Sequence, residues 1–247
     1  MIEALTGGED VKAVIVGERR RDDRALKELI DRARKRGVPV QTQPEAWFRR
    51  FGDVRHQRVA ARVAPFEHAD WAEMKKRLAT KADALVVVAD HIEDPQNLGA
   101  IMRAAEAAGA DALVVPDRRS AGVTAATRRA AAGAASHLPV IRVPNIVRTI
   151  EELKQDGHWV NGLTAAPAAR AYTEVDFRGN CTLVVGSEGS GLGRLVAERC
   201  DTLIAIPMLG KVASLNAATA VAVVLYEAVR QRRQPLVKTG TSRPVNP

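Results

Sequence analysis

At 247 residues, 46% of them hydrophobic, the chain suits one large or two small domains and is too apolar to be disordered along most of its length. Its longest apolar runs, ALVVVA and AATAVAVVLY, fall far short of a membrane span, and the opening MIEALTGGED holds no apolar signal region, so the sequence predicts no membrane partner and a cytoplasmic location. Cys181 and Cys200 are too few for a disulfide framework or a cysteine-built zinc site, and the five histidines lack ligand spacing, so no metal is expected.

The first part of the chain reads as a small αβ unit. VKAVIVGE (11–18) is an apolar, β-branched strand. DRALKELIDRARKRG (23–37) carries a helical stripe of Leu26, Leu29, Ile30 and Ala33 and stops at Gly37. VPVQTQ (38–43) is a short strand. PEAWFRRFG (44–52) opens with Pro and closes with Gly as a short helix should. QRVAARVAPF (57–66) alternates as a strand does. Trp47, Phe48 and Phe51 fall at helical spacing, which predicts a core-facing stripe over a base-stacking platform. A polar helix, HADWAEMKKRLATKAD (68–83), follows as a connector.

From there the pattern turns regular. ALVVVAD, DALVVPD, LPVIRVP, HWVNGLTAA, CTLVVGSE and DTLIAIPM are near-continuous apolar strands, separated by helices at 120–136, 146–156, 191–199 and 214–232 and one opening near Asp94-Pro95. Such runs joined by helices predict a buried parallel sheet covered on both faces. The expected domains are 1–66, a linker helix at 67–81, a second domain at 82–232 and a disordered tail at 233–247.

Charge follows the same division. Of the net +8, residues 1–81 hold 19 Lys and Arg against 13 Asp and Glu, residues 82–229 hold 13 against 16, and residues 230–247 hold 5 against none. Basic ends around a slightly acidic middle suit either a nucleic-acid partner gripped by appended parts or a solvated basic surface.

In α/β sheets, ligands bind beyond the carboxyl ends of strands. Four loops lie there: Asp94 to Arg103, NGLTAAP (161–167), GSEGSGLGR (186–194) and IPMLGKVASLN (206–216). The third lacks the Lys-Ser/Thr ending of a nucleotide P-loop and is not G-x-G-x-x-G, so ATP and NAD sites are not supported. Its glycines suit either close approach to a ligand or a tight turn. Glu188 within it has little packing value. Ser214 reads as an N-cap for the last helix, Asn216 is a poor residue one turn in, and Arg103 by itself reads as a surface residue.

Taken together, Asn97-x-Gly99-x-x-x-Arg103, Gly186-x-Glu188-Gly189-x-Gly191-Leu192, and Ile206-Pro207-Met208 followed by Ser214-Leu215-Asn216 resemble the SpoU family of RNA ribose 2′-O-methyltransferases over about residues 80–230. The early αβ unit is similar to the ribosomal-protein-like substrate domain of the large-subunit rRNA guanosine 2′-O-methyltransferases. The resemblance implies an α/β fold with a parallel-sheet, trefoil-knotted methyltransferase domain, S-adenosylmethionine as methyl donor and a homodimer acting on RNA. It implies cofactor contacts at Leu163, Thr164, Gly186, Ile206 and Leu215, and a catalytic set of Arg103, Asn97, Glu188 and Asn216. A tRNA ribose methyltransferase and a catalytically silent RNA-binding protein of the same fold are the alternatives. Two departures stand out. Only MIEAL is present of the family's Gly-x-Asn-Pro-Val-x-Glu-Ala-Leu-like opening, as if the chain began late, and His56-Gln57-Arg58 stands where His-Gln-Gly is usual.

Overall fold

The computed structural model describes residues 11–18, 24–52, 56–166 and 168–233. MIEAL and the basic tail from residue 234 onward lie outside the described residues.

The first unit comprises β1 (Val11–Gly17), α1 (Arg24–Lys35), β2 (Val40–Gln43), a 3-10 helix (Glu45–Phe51) and β3 (Val59–Val63). The three strands form one sheet in the order β2-β1-β3, with β1–β2 parallel and β1–β3 antiparallel. The α1 stripe does what its spacing requires: Leu26, Leu29 and Ala33 are buried against Val11, Val14 and Val16. Each large aliphatic side chain buried in this way contributes about 1.5–3 kcal/mol. Phe48 is fully buried, as a core stripe demands, while Trp47 is half-buried with the Arg50 guanidinium 4.2 Å from its ring centroid. Gln57 and Arg58 both hold left-handed backbone, at φ 46 and 58, so the position where the family carries Gly keeps a glycine-type conformation here. The Arg58 carbonyl accepts the Gly17 N–H at 2.9 Å, and its guanidinium pairs with Glu45 at 2.5 Å.

After the helix α2 (Trp71–Ala79), the second unit alternates β4 (Leu85–Ala89), α3 (Pro95–Ala107), β5 (Ala112–Pro116), α4 (Ala125–Ala131), β6 (Val140–Val143), α5 (Ile146–Gln155), β7 (Trp159–Leu163), β8 (Arg170–Ala171), β9 (Cys181–Val185), α6 (Arg194–Arg199), β10 (Thr202–Ala205) and α7 (Ala217–Arg233). Seven strands form one sheet in the order β6-β5-β4-β9-β7-β10-β8, and each neighbouring pair is parallel. Strands β4, β5 and β9 are buried at all five positions, which is why they read as unbroken apolar runs. The pleat sends alternate residues to opposite faces. Leu85 and Val87 join the core under α3 and α7, whereas Val86 and Val88 join the one under α2 and α5.

Several sequence expectations need correction. The polar connector helix packs into the sheet: Met74 and Leu78 are buried, and the Trp71 indole donates to Glu152 of α5 at 2.8 Å. The helix expected over 120–136 is confined to α4 and a 3-10 turn at Ala134–Ser136, because Ala132 and Gly133 turn left-handed between them. The two-residue edge strand β8, paired to β10, was not anticipated.

Gly99 has a packing reason. A Cβ built there would stand 2.5 Å from both the Ala130 Cβ and the Thr127 carbonyl oxygen, so only glycine lets α3 lie this close to α4. Gly99→Ala should therefore destabilise, although alanine is the better helix former. Overpacking costs about 1–3 kcal/mol against less than about 1 kcal/mol gained in propensity. A thermal melt reads the sign; an unchanged or higher midpoint contradicts the packing argument.

Candidate functional site

The loops following β4, β7, β9 and β10 emerge at the carboxyl ends of four adjacent strands. The strand order reverses direction here, since β5 and β6 extend to one side of β4 while β9, β7 and β10 extend to the other. Ligand sites of open α/β sheets lie at such a switch point.

Three of the predicted catalytic side chains meet there. The Asn97 Nδ2 donates to Glu188 Oε1 at 3.0 Å, and the Asn216 Nδ2 donates to Asn97 Oδ1 at 2.8 Å. Asn216 Nδ2 also contacts Glu188 Oε1 in a very short hydrogen bond. The same carboxylate oxygen accepts the Ala217 N–H at 3.3 Å, at the positive end of α7, where a negative charge is stabilised. Asn216 is held from its other side. Its Oδ1 accepts the N–H groups of Ala218 at 3.0 Å and Thr219 at 3.2 Å, so Asn216, in place of Ser214, caps α7. A residue that looked misplaced one turn into a helix is the cap that starts it. On α3 the corresponding device is Asp94, which accepts from Gln96 and Asn97 and fixes the turn that presents the Asn97 side chain.

Arg103 stands apart. It is an exposed residue in the middle of α3, and among the described residues it has no hydrogen bond or ion pair. Six residues at about 1.5 Å each put its backbone roughly 9 Å along the helix from Asn97.

Beside the polar trio lies a cavity of about 820 Å3. Leu163, Thr164, Gly186, Ile206 and Leu215, the five residues expected to touch a cofactor, all line it. Its walls combine apolar side chains such as Val185 and Met208 with loop backbone, the mixture that holds a small molecule with an apolar body and a few polar handles. Among the described residues no group of three or more His, Cys, Asp or Glu could hold a metal ion.

Gly186 resolves the two readings of its loop. A Cβ there would stand 2.0 Å from the Gly191 carbonyl oxygen, so the loop closes upon itself. The Ser187 and Gly191 backbones exchange hydrogen bonds at 3.1 and 2.9 Å, with Gly191 at φ 66. The tight-turn reading accounts for both glycines, and the turn forms one wall of the cavity.

Sequence reasoning passed over a second, smaller hollow of about 380 Å3 on the far side of Ser187 and Glu188. His91 and Arg119 line it together with Asn97. The His91 Nδ1 lies 2.5 Å from Oδ1 of Asp90, a fully buried carboxylate whose Oδ2 accepts the Gly193 N–H at 2.9 Å. Both His91 and Arg119 are left-handed, at φ 57 and 54. Nothing local in the sequence marks either residue; only the fold brings them to the trio.

A polar trio between two hollows at the carboxyl ends of a parallel sheet is the arrangement of a ligand-binding α/β protein. Residues 84–226 match the SpoU rRNA Methylase family and residues 1–69 match the RNA 2′-O ribose methyltransferase substrate-binding family. A Staphylococcus aureus (strain COL) protein described as a TrmH family tRNA/rRNA methyltransferase is 39% identical over 231 residues, 93% of this chain and 92% of that one. The YacO protein of Bacillus subtilis (strain 168), described in the same words, is 43% identical over 206 residues, 83% of this chain and 82% of that one. The crystal structure of the SpoU methyltransferase AviRb from Streptomyces viridochromogenes with AdoMet superposes with a TM-score of 0.76 at 27% identity, covering 93% of this chain and 86% of that one. The A. aeolicus TrmH/SpoU tRNA modifying enzyme superposes with a TM-score of 0.56 at 28% identity, covering 65% of this chain and 81% of that one. The chain belongs to the SpoU rRNA methylase family of RNA methyltransferases.

Proposed function

We propose that the protein transfers a methyl group to a ribose 2′-hydroxyl of RNA, a guanosine of large-subunit rRNA, and acts as a homodimer with a trefoil-knotted catalytic domain. The observation that carries the reading is the trio of Asn97, Glu188 and Asn216 set between the cavity lined by Gly186 and Leu215 and the recess lined by His91. S-adenosylmethionine fits the larger cavity, where Leu163, Ile206 and Leu215 offer apolar surface and the 186–191 turn and Thr164 offer backbone and hydroxyl partners. Bound there, it supplies an electrophilic sulfonium methyl.

The protein's own groups then hold the ribose oxygen in line with the methyl, and the hydroxyl proton passes to solvent water as the O–C bond forms and the S–CH3 bond breaks. Arg103 orients the ribose and its adjacent phosphate and stabilises the developing alkoxide, since a guanidinium keeps its proton and is a poor base. Glu188 and Asn216 fix the ribose. In one chain Arg103 lies outside the trio, and the proposed dimer is what closes a second surface over it. Leu209 is fully exposed and Val212, three residues on in the same loop, is 69% exposed, apolar side chains that a second copy would cover. The RNA target is supported by the RNA 2′-O ribose methyltransferase substrate-binding match at residues 1–69, and the rRNA assignment by the SpoU rRNA Methylase match at residues 84–226.

The test is transfer of labelled methyl from S-adenosylmethionine, with EDTA present, to large-subunit rRNA and to tRNA, followed by mapping of the modified position. Alkali-resistant 2′-O-methylguanosine in the rRNA is expected; methyl on a base, on tRNA alone, or nowhere sinks the corresponding part.

The N-terminal unit should carry much of the RNA affinity, because ten Lys and Arg lie between Lys12 and Arg36 and phosphate contacts set a salt-dependent affinity. Deleting residues 1–66 should weaken rRNA binding and flatten the dependence of log K on log salt, while S-adenosylmethionine still binds in calorimetry. An unchanged affinity and slope contradict this.

A further inference from the structure

We propose that the recess on the far side of Glu188 is the subsite for the sugar–phosphate of the acceptor nucleotide, and that Arg119 is a phosphate contact there in addition to Arg103. The inference rests on the reading above and adds to it a residue that neither the motifs nor the resemblance singled out.

Position is the first support. The recess shares Ser187, Glu188 and Ser190 with the cofactor cavity, so those residues form a common wall between the two hollows. A methyl donor on one side of that wall leaves the other side to the acceptor. At about 380 Å3 the recess reaches the lower end of the range for ligand pockets, roughly 300 Å3 and above.

Chemistry is the second. Asp94 and Glu188 border the recess with their carboxylates already engaged by N–H donors, Asp94 as the α3 cap and Glu188 within the trio. Carboxylates fixed in this way suit the hydroxyl donors of a ribose and repel a phosphate. Arg119, whose loop is tied to Ile92 by the Ala121 N–H at 2.8 Å, is the arginine that lines the same recess. It is exposed, and among the described residues it has no hydrogen bond or ion pair, so its planar fork is available to an anion. Ribose toward the carboxylates and phosphate toward Arg119 is the one orientation that satisfies both.

Backbone strain is the third. Five described non-glycine residues have positive φ, and two of them, His91 and Arg119, line this recess. Left-handed backbone at bulky residues persists where the surroundings impose it and gathers at ligand sites. The buried Asp90 explains how His91 is held; among the described residues nothing occupies the Arg119 side chain, which is what a ligand contact requires.

The test uses the full chain and an unmodified large-subunit rRNA transcript, with binding measured across salt concentrations and methyl transfer followed in parallel. Arg119→Ala should raise the RNA Kd and KM about 10- to 100-fold, the range for charged hydrogen bonds. It should also reduce the salt slope by about one, with S-adenosylmethionine affinity unchanged. Arg119→Lys should restore the slope and only part of the affinity. Arg119→Gly, which suits a left-handed position, should lose RNA affinity as alanine does without lowering the melting temperature. Arg118→Ala, one residue away and outside the recess, should change neither. The proposal is overturned if Arg119→Ala and Arg119→Gly keep the wild-type RNA affinity and slope, if Arg118→Ala matches their loss, or if cofactor affinity falls in step. Absence of methyl transfer to RNA by the wild type overturns the function itself, a result separate from any Arg119 phenotype.

Discussion

Replacing Arg103 with alanine should slow single-turnover methyl transfer by about 10²–10³-fold, the usual cost of removing one preorganised donor from a developing charge. The fold should be untouched. Arg103 is exposed and has no internal partner among the described residues, and substitutions at such positions stay within about 0.5 kcal/mol of the wild type. Cofactor affinity should also persist, because Arg103 does not line the larger cavity. Arg103→Lys should rescue poorly, since a point charge cannot reproduce a planar two-pronged contact. Rapid-quench measurement at saturating S-adenosylmethionine, beside a thermal melt, separates these effects. A folded Arg103→Ala enzyme with a near-normal rate removes this residue from the mechanism and returns it to the surface role its isolated sequence context suggests.

Gly186→Ala should produce the opposite profile, with cofactor binding lost along with local structure. The added carbon would lie 2.0 Å from the Gly191 carbonyl oxygen and 2.4 Å from the Leu192 nitrogen, both backbone atoms that cannot swing aside. Relief requires opening the turn held by the Ser187–Gly191 pair, which is one wall of the cavity. Overpacking of this kind costs about 1–3 kcal/mol or more, and a wall displaced by even an ångström misplaces the ligand. Gly189→Ala is the control for the fold: a Cβ there meets nothing within 4 Å, so the melt should be unchanged. Calorimetry with S-adenosylmethionine and a thermal melt decide the matter, and a Gly186→Ala protein that melts and binds normally contradicts the steric argument.

These contrasts show where the sequence speaks and where it is silent. Strands buried on both faces announce themselves, because every residue in a run such as LVVVA must be apolar. The break after α4 is marked in the sequence only by Gly133, because Ala132, the first left-handed residue, carries none of the usual markers. The polar helix at 71–79 hides its core role because two buried residues, Met74 and Leu78, suffice to dock it. At the site, Asn97, Glu188 and Asn216 are legible as a set only through the family resemblance of the motifs that carry them, since each alone suits a cap or a turn. Asn216 is in fact both a cap and a member of the trio. Arg119 and His91 are beyond local reasoning altogether. Their placement depends on which loop folds against which, and that is a property of strand order.

The trio has a further consequence in time. Its hydrogen bonds join residues 91, 28 and 119 positions apart, so no contiguous fragment shorter than Asn97 to Asn216 can form it. A ribosome adding about 5–20 residues per second takes roughly 6–24 s to pass from Asn97 to Asn216. The basic αβ unit, made first, has emerged by then with its own core of Val14, Leu26 and Leu29. If the first unit grips RNA as proposed, a nascent chain therefore holds that surface well before the trio forms, since the trio waits for the turn that starts α7.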